Sequence, residues 1–161
     1  MKLMLGILLL PTLFLSALSQ GIQVLSPKDG ATVTPGQELT VQLGFPNSLT
    51  GVQHVSVVIS MFLCAGEPCP VNSTGAAPNT LGTPMFMGDF NPEFHEGDLP
   101  PYQNFTVTIP GSVQGGSTNM ISVAHFMLLG AGATPILEFQ NATVSTPQTV
   151  SGRAIRGRVF Q

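Results

Sequence analysis

Hydrophobic and polar residues alternate along most of the chain after residue 20, which is the pattern of half-buried β-strands. The alternation is clearest over 38–43 and 104–109, where one set of side chains is apolar and the other polar. The segment 121–129 is apolar on both faces, which is typical of a central strand covered on both sides. Further strands are predicted over 22–25, 52–63, 85–87 and 137–144.

Turn-forming residues separate these segments. The sequences 26–30 and 34–36 combine Pro, which fixes φ, with Gly, which tolerates positive φ. No segment after residue 20 shows a sustained helical stripe with caps. About seven short strands joined by turns predict an all-β fold, an immunoglobulin-like antiparallel β-sandwich of about seven strands. The Trp and the inter-sheet disulfide of antibody domains have no counterpart, since the chain has no Trp and its cysteines are close together.

Alternation also predicts which side chains face the core. In the strand 52–63 the inward set is expected to be Val55, Val57, Ile59, Met61 and Leu63. His54 then falls on the opposite, more polar face and is expected to be exposed. His125 lies among apolar residues and is expected to be a hydrogen-bonded core histidine. In the last strand Asn141 shares a face with Phe139, so a bulge or an early strand end is predicted there.

Residues 1–19 have the pattern of a secretory signal peptide. Lys2 precedes the apolar run 3–18, and small residues precede a cleavage site at Gln20. The run is shorter than the ~20 residues of a membrane-spanning helix. We therefore expect this segment to be removed, the mature chain to stay outside the membrane, and the protein to be secreted to the extracellular space.

The cysteines and the glycosylation sequons fit an extracellular protein. Cys64 and Cys69 are the only two cysteines, and two thiolates lack the further ligands that a structural zinc ion needs. We therefore expect a disulfide that pins the long Gly- and Pro-rich loop 64–84. Asn-x-Ser/Thr sequons predict N-glycosylation at Asn72, Asn104 and Asn141.

Charge and length narrow the function further. The 161 residues carry eight acidic and five basic side chains, a formal charge of −3, so no basic surface for nucleic acid is expected. The mature chain has the size of one domain, which we place at 20–145. Residues 146–161 are polar, contain three arginines and are expected to form a flexible basic tail. We expect a monomer.

Three segments carry a resemblance to known families. The sequence 22–41 resembles the opening hairpin of extracellular immunoglobulin-like modules. The segments 99–110 and 123–132 resemble small secreted fungal proteins, which are distantly similar to immunoglobulin-like modules associated with the fungal cell wall. The resemblance implies secretion, a β-sandwich, and a role at the cell wall or at an interface with another organism. It implies no catalytic residue.

One loop concentrates the acidic residues. Four of the eight acids lie within ten residues together with a histidine: Asp89, Glu93, His95, Glu96 and Asp98. Carboxylates suit calcium and the imidazole suits a transition metal, so a cation site is one hypothesis. The spacing matches no EF-hand, and a solvated acidic loop paired with the arginines of the tail is the alternative. No other cofactor is expected.

The same region carries aromatic residues in polar surroundings. Phe90, Phe94 and Tyr102 punctuate the loop 88–102, and aromatic side chains on a loop held by a rigid scaffold are a common recognition arrangement. The alternative is that the two phenylalanines fold back and close the end of the core. Sugar binding is less favoured, because stacking platforms use Trp and Tyr and the chain has no Trp and one Tyr.

These observations favour a secreted, non-enzymatic recognition or cell-wall-associated protein whose partner is an extracellular protein or a wall polysaccharide. One alternative is a secreted metal-dependent or glycan-active enzyme that uses the loop 89–98, and another is a structural wall or matrix component. No Gly-x-Ser-x-Gly motif is present. We expect no assembled reactive centre; imidazoles from distant segments that meet an acidic group would contradict this expectation.

Overall fold

The protein is a sandwich of two β-sheets. The computed structural model describes residues 21–47, 49–64, 69, 81–97 and 99–148, and this part of the chain contains no helix. It therefore contains no helix that could span a membrane. The strands are β1 (Gln23–Ser26), β2 (Ala31–Thr32), β3 (Glu38–Gly44), β4 (Val52–Leu63), β5 (Thr83–Gly88), β6 (Tyr102–Thr108), β7 (Thr118–Leu129) and β8 (Thr134–Ser145).

The strand order confirms the predicted all-β sandwich. One sheet has three strands in the order β1-β3-β6, and the other has five in the order β2-β8-β7-β4-β5. All pairs are antiparallel except β2 with β8, which is parallel. Each of the seven predicted strands is present within a few residues. The eighth, β2, has only two residues and shows no alternation that could have predicted it.

The core lies between the two sheets and is built from alternate side chains of facing strands. Fully or almost fully buried residues come from both layers, and each contributes about 1.5–3 kcal/mol to folding when removed from water. They include Val41, Leu43, Phe105, Val107, Val57, Ile59, Met61, Ile121, Val123 and Val144.

A β-bulge changes the direction of side chains in β4. His54 pairs with Met127 and Ser56 pairs with Phe126, which leaves Val55 as an extra, unpaired residue. One extra residue inverts the alternation, so the residues before the bulge exchange faces. The predicted inward direction is therefore wrong for Val55, which is 37 % exposed. Leu63 keeps the face of Met61, as predicted, but it ends the strand and is 44 % exposed, so it lies beyond the core.

The pairing of β8 corrects a second expectation. β8 pairs with β7 in continuous register from Thr118 and Ser145 to Leu129 and Thr134, so the predicted bulge or early end near Asn141 is wrong. The reason is that Glu138 faces the core, which places its neighbour Phe139, and with it Asn141, on the outer face of the sheet.

The two ends of the sandwich differ in their loops. Loops 45–51, 89–101 and 130–133 meet at one end, which we name the pocket end; there Phe45 N–H donates to Pro101 O at 2.9 Å. The opposite end carries the Cys64–Cys69 disulfide, which confirms that pairing. The disulfide packs with Phe62 and Met120 on the outer face of the larger sheet.

Candidate functional site

Three polar side chains from three strands form a hydrogen-bonded row beneath the pocket end, which we name the histidine row: His54, His125 and Glu138. His54 Nδ1 lies 3.0 Å from His125 Nε2. His125 Nδ1 lies 2.7 Å from Glu138 Oε1, which also accepts the Ile22 backbone N–H at 2.9 Å. Side chains separated by 71 and by 13 positions in sequence thus share one network.

Strand register and the bulge explain why these residues meet. His125 and Glu138 are directly paired in the β7–β8 hairpin, so their side chains lie on the same face of the sheet. His54 lies in the adjacent strand, on the N-terminal side of the bulge at Val55. Because the bulge reverses the alternation there, the His54 ring points toward the core instead of solvent, and its predicted exposed position is wrong.

Aromatic rings enclose the two imidazoles. The Phe45 ring centroid lies 4.7 Å from that of His54 and 5.9 Å from that of His125. Phe90 lies 5.0 Å from His54 and 5.1 Å from His125, also edge to face. His125 has no exposed surface, as expected for a core histidine, whereas the Glu138 side chain keeps 20 % exposure.

The surroundings keep His54 neutral. Burial, together with a smaller effect of the neighbouring His125, lowers the pKa of His54 from 6.5 to about 4. Glu138 opposes this effect, because a carboxylate favours the charged imidazole, but it reaches His54 only across the His125 ring. At neutral pH His54 is therefore an uncharged hydrogen-bonding group.

His54 also lines a surface pocket, which connects the histidine row to solvent. The pocket has a volume of about 240 Å³. Its other lining residues come from the loops of the pocket end and are mostly apolar or proline: Phe45, Pro46, Asn47, Thr50, Gly51, Val52, Pro92, Phe94 and Pro101. The pocket is thus a concave surface of mixed polarity, lined by phenylalanine and proline side chains and by one imidazole.

The acidic loop does not assemble in the same way. Asp89, Glu93, His95 and Glu96 are all exposed, and Asp98 lies outside the described residues. His95 stacks on Tyr102 with ring centroids 3.8 Å apart. Within the described part of the chain, no three His, Cys, Asp or Glu side chains come close enough to hold a metal ion.

The aromatic residues of this loop divide between core and surface. Phe90 is 1 % exposed and packs against the imidazoles, so for this residue the alternative that it closes the core is right. Phe94 is 71 % exposed, so for this residue that alternative is wrong. Tyr102 is half-buried beneath His95.

The three sequon asparagines have different surroundings. Asn104 is exposed on β6. Asn141 is half-buried on β8, and its Oδ1 atom is buried without a hydrogen-bond partner. Asn72 lies outside the described residues. Asn104 is therefore the best placed of the two described sequons to carry a glycan.

The histidine row contradicts the expectation that distant imidazoles would not meet an acidic group. The sequence pattern predicted no role for His54 or for Glu138. A signal was present for one contact: the short turn between two strongly patterned strands sets the register that places Glu138 opposite His125. A catalytic triad also needs a nucleophile, and the row itself contains no hydroxyl or thiol.

Comparisons with known proteins identify a family and show a distant structural likeness. The sequence model of the Nis1 family matches residues 16–145. No curated protein matches the sequence. Among solved structures, the chain is similar to a superoxide reductase (neelaredoxin) from Ignicoccus hospitalis, with 12 % identity and a TM-score of 0.44 over 79 % of this chain and 80 % of that one. A likeness of this degree implies nothing about chemistry.

Proposed function

The chain belongs to the Nis1 family, and we propose that it is a secreted, non-enzymatic recognition protein that binds an extracellular partner protein at its pocket end. The observation that carries the proposal is Phe94, a large aromatic side chain that is 71 % exposed on the wall of a concave pocket. Aromatic side chains beside such pockets are typical of the energetic centres of protein interfaces.

The loop that presents Phe94 is anchored to the sandwich. The neighbouring Glu93 exchanges two backbone hydrogen bonds with Tyr102, at 3.1 and 2.9 Å. Asn91 N–H donates to Gln103 Oε1 at 2.7 Å, and Phe90 is held in the core. A loop fixed in this way loses little conformational entropy on binding, which favours recognition by a preformed surface.

Several sequence features support an extracellular location. The apolar N-terminal segment, the three sequons and the disulfide are those of a secreted glycoprotein. The resemblance of 99–110 and 123–132 to small secreted fungal proteins favours a role at the cell wall or at an interface with another organism. We place the partner protein there.

The experiment compares two exposed apolar side chains on different surfaces. Phe94 lies at the pocket end, and Leu137, which is 58 % exposed on β8, serves as the matched control. Mature wild-type protein, F94A and L137A are immobilised and exposed to extracellular proteins. A captured protein is then purified and its binary affinity measured for each form.

We expect F94A to weaken the affinity for the captured protein by at least about 30-fold, the loss typical of an interface hot spot. L137A should bind as wild type. Equal affinity of F94A and wild type would contradict it. Retention of all three forms on insoluble chitin or glucan, with no protein captured, would instead favour the wall-associated alternative.

A further inference from the structure

The hydrogen bonds of the histidine row determine which nitrogen carries each proton. A carboxylate only accepts hydrogen bonds, so His125 Nδ1, 2.7 Å from Glu138 Oε1, is the donor of that pair. In a neutral His125 the other nitrogen, Nε2, is then an acceptor. With His125 in this neutral form, His54 Nδ1, 3.0 Å away, donates to it.

It follows that the remaining nitrogen of His54 is an acceptor. With the proton on Nδ1, the Nε2 atom of a neutral His54 carries a lone pair. Glu138, which is fixed by a second donor at Ile22 N–H, thus sets the tautomer of an imidazole two links away. The pocket is lined by a ring that accepts a hydrogen bond and carries no charge.

The walls and the volume of the pocket restrict the ligand further. Phe45, Phe94 and three prolines supply apolar contact, and about 240 Å³ is less than the 300–1,000 Å³ typical of sites for drug-sized ligands. A single ring is therefore a better match than an extended molecule. An anion would meet no positive charge at His54, and an ammonium group would be desolvated without a carboxylate in contact.

We propose that the pocket binds a phenol ring, the side chain of a tyrosine on the partner, whose hydroxyl donates a hydrogen bond to His54 Nε2. The inference rests on the proposed function, because it specifies the residue that the partner inserts at the pocket end. A phenol carries its donor at the tip of a flat ring, so the ring contacts the phenylalanine and proline side chains of the wall while the hydroxyl meets the imidazole. An indole carries its N–H at the side of a larger ring and matches this arrangement less well.

The test uses a pair of small probes with the same ring, one with a hydroxyl donor and one in which a methyl group replaces the hydroxyl hydrogen. p-Cresol has the ring and hydroxyl of tyrosine, and 4-methylanisole has the same ring with the hydroxyl methylated. Each is titrated into the mature wild-type protein at neutral pH, and the imidazole ¹⁵N signals are followed by NMR. His95, which lies outside the pocket, is the internal control.

The expected result is millimolar binding of p-cresol that shifts His54 Nε2 and leaves His95 unchanged. The preference over 4-methylanisole should be about 3- to 10-fold, the range of one net hydrogen bond. The variant H54F keeps an aromatic ring but has no acceptor, so it should bind the two probes equally.

A second measurement uses only the wild-type protein, so it does not require that a variant folds. Below about pH 4 the His54 ring of the wild type becomes protonated and donates from Nε2. The oxygen atoms of both probes can accept this bond, so the preference for p-cresol should disappear.

Equal binding of the two probes at neutral pH, or no shift at His54, would overturn the proposal of a tyrosine-binding pocket. Neither result bears on the F94A comparison, which tests partner recognition independently. A loss of partner affinity in F94A without any phenol preference would leave the pocket end as the binding surface and reject only the ligand named here.

Discussion

Two histidines near the pocket end, His54 and His95, show that acidic neighbours in sequence need not be acidic neighbours in the fold. His95 has four acidic residues within six positions, yet its described neighbours are exposed and its ring stacks on Tyr102. His54 has no acidic residue nearby in sequence, yet it shares a network with His125 and Glu138 from two other strands. Strand register assembles a polar site here more effectively than closeness in sequence, because it turns side chains of adjacent strands to one face, whereas the described acidic side chains of the loop remain apart.

The largest expected effect separates the two phenylalanines of the loop. Phe90→Ala should cost about 3–5 kcal/mol of unfolding free energy, because it removes a fully buried ring that packs on both imidazoles. Phe94→Ala should change stability by less than about 0.5 kcal/mol, because its ring is mostly in water. Urea unfolding measures both. Equal losses would mean that the loop is not divided between core and surface.

The next effect tests the carboxylate of the histidine row against one in the acidic loop. Glu138→Ala should cost about 2–4 kcal/mol, because it leaves the buried His125 N–H and the Ile22 N–H without their acceptor. Glu138→Gln should cost less, because the amide oxygen can still accept. The control Glu96→Ala removes an exposed carboxylate and should stay within about 0.5 kcal/mol. Similar losses for Glu138→Ala and Glu96→Ala would remove the distinction between the two regions.

A smaller effect appears in the pH dependence of stability. The pKa of His54 is about 4 in the folded protein and 6.5 in the unfolded chain, so between these values the unfolded chain binds more protons. The contribution of His54 to the free energy of unfolding is therefore complete above about pH 6.5 and is lost as the pH falls toward about 4. The full shift corresponds to about 3.4 kcal/mol, and because His54 is only half-buried we expect about 1–2 kcal/mol.

The pH effect is measured as a difference between variants, since carboxylates titrate in the same range. Urea unfolding is measured at neutral pH and near pH 4.5. The free energy of unfolding should fall less between these two pH values for H54F than for wild type, by about 1–2 kcal/mol. His95→Gln, which leaves the histidine row intact, should behave as wild type. A pH dependence that is the same in H54F and wild type would mean that His54 is not held neutral by its surroundings.

The sequence predicted the sandwich well because alternation depends only on local residue order. It did not predict the bulge at Val55, because the alternation of Val55, Val57, Ile59 and Met61 was extended through the start of β4, although the consecutive polar residues Gln53 and His54 break it. The position of His54 was wrong for that reason alone. Phe90 and Phe94 were indistinguishable, because two phenylalanines in one loop carry the same local signal and only the tertiary contacts separate them. The contact between Glu138 and His125 could have been predicted, because the hairpin pairs the two residues directly.

The smallest expected effect concerns the cation hypothesis for the acidic loop. A calcium site with a dissociation constant of ~1 mM would add about 1.4 kcal/mol at ~10 mM calcium and raise the melting temperature by several degrees. The described carboxylates of the loop do not converge, so we expect a shift below about 1 °C with calcium or zinc. The triple variant E93Q/E96Q/D98N removes charge without shortening side chains and is the matched control. A shift of several degrees in wild type that this variant abolishes would show that cation binding gathers the loop, and closeness in sequence would then have assembled a site as effectively as strand register.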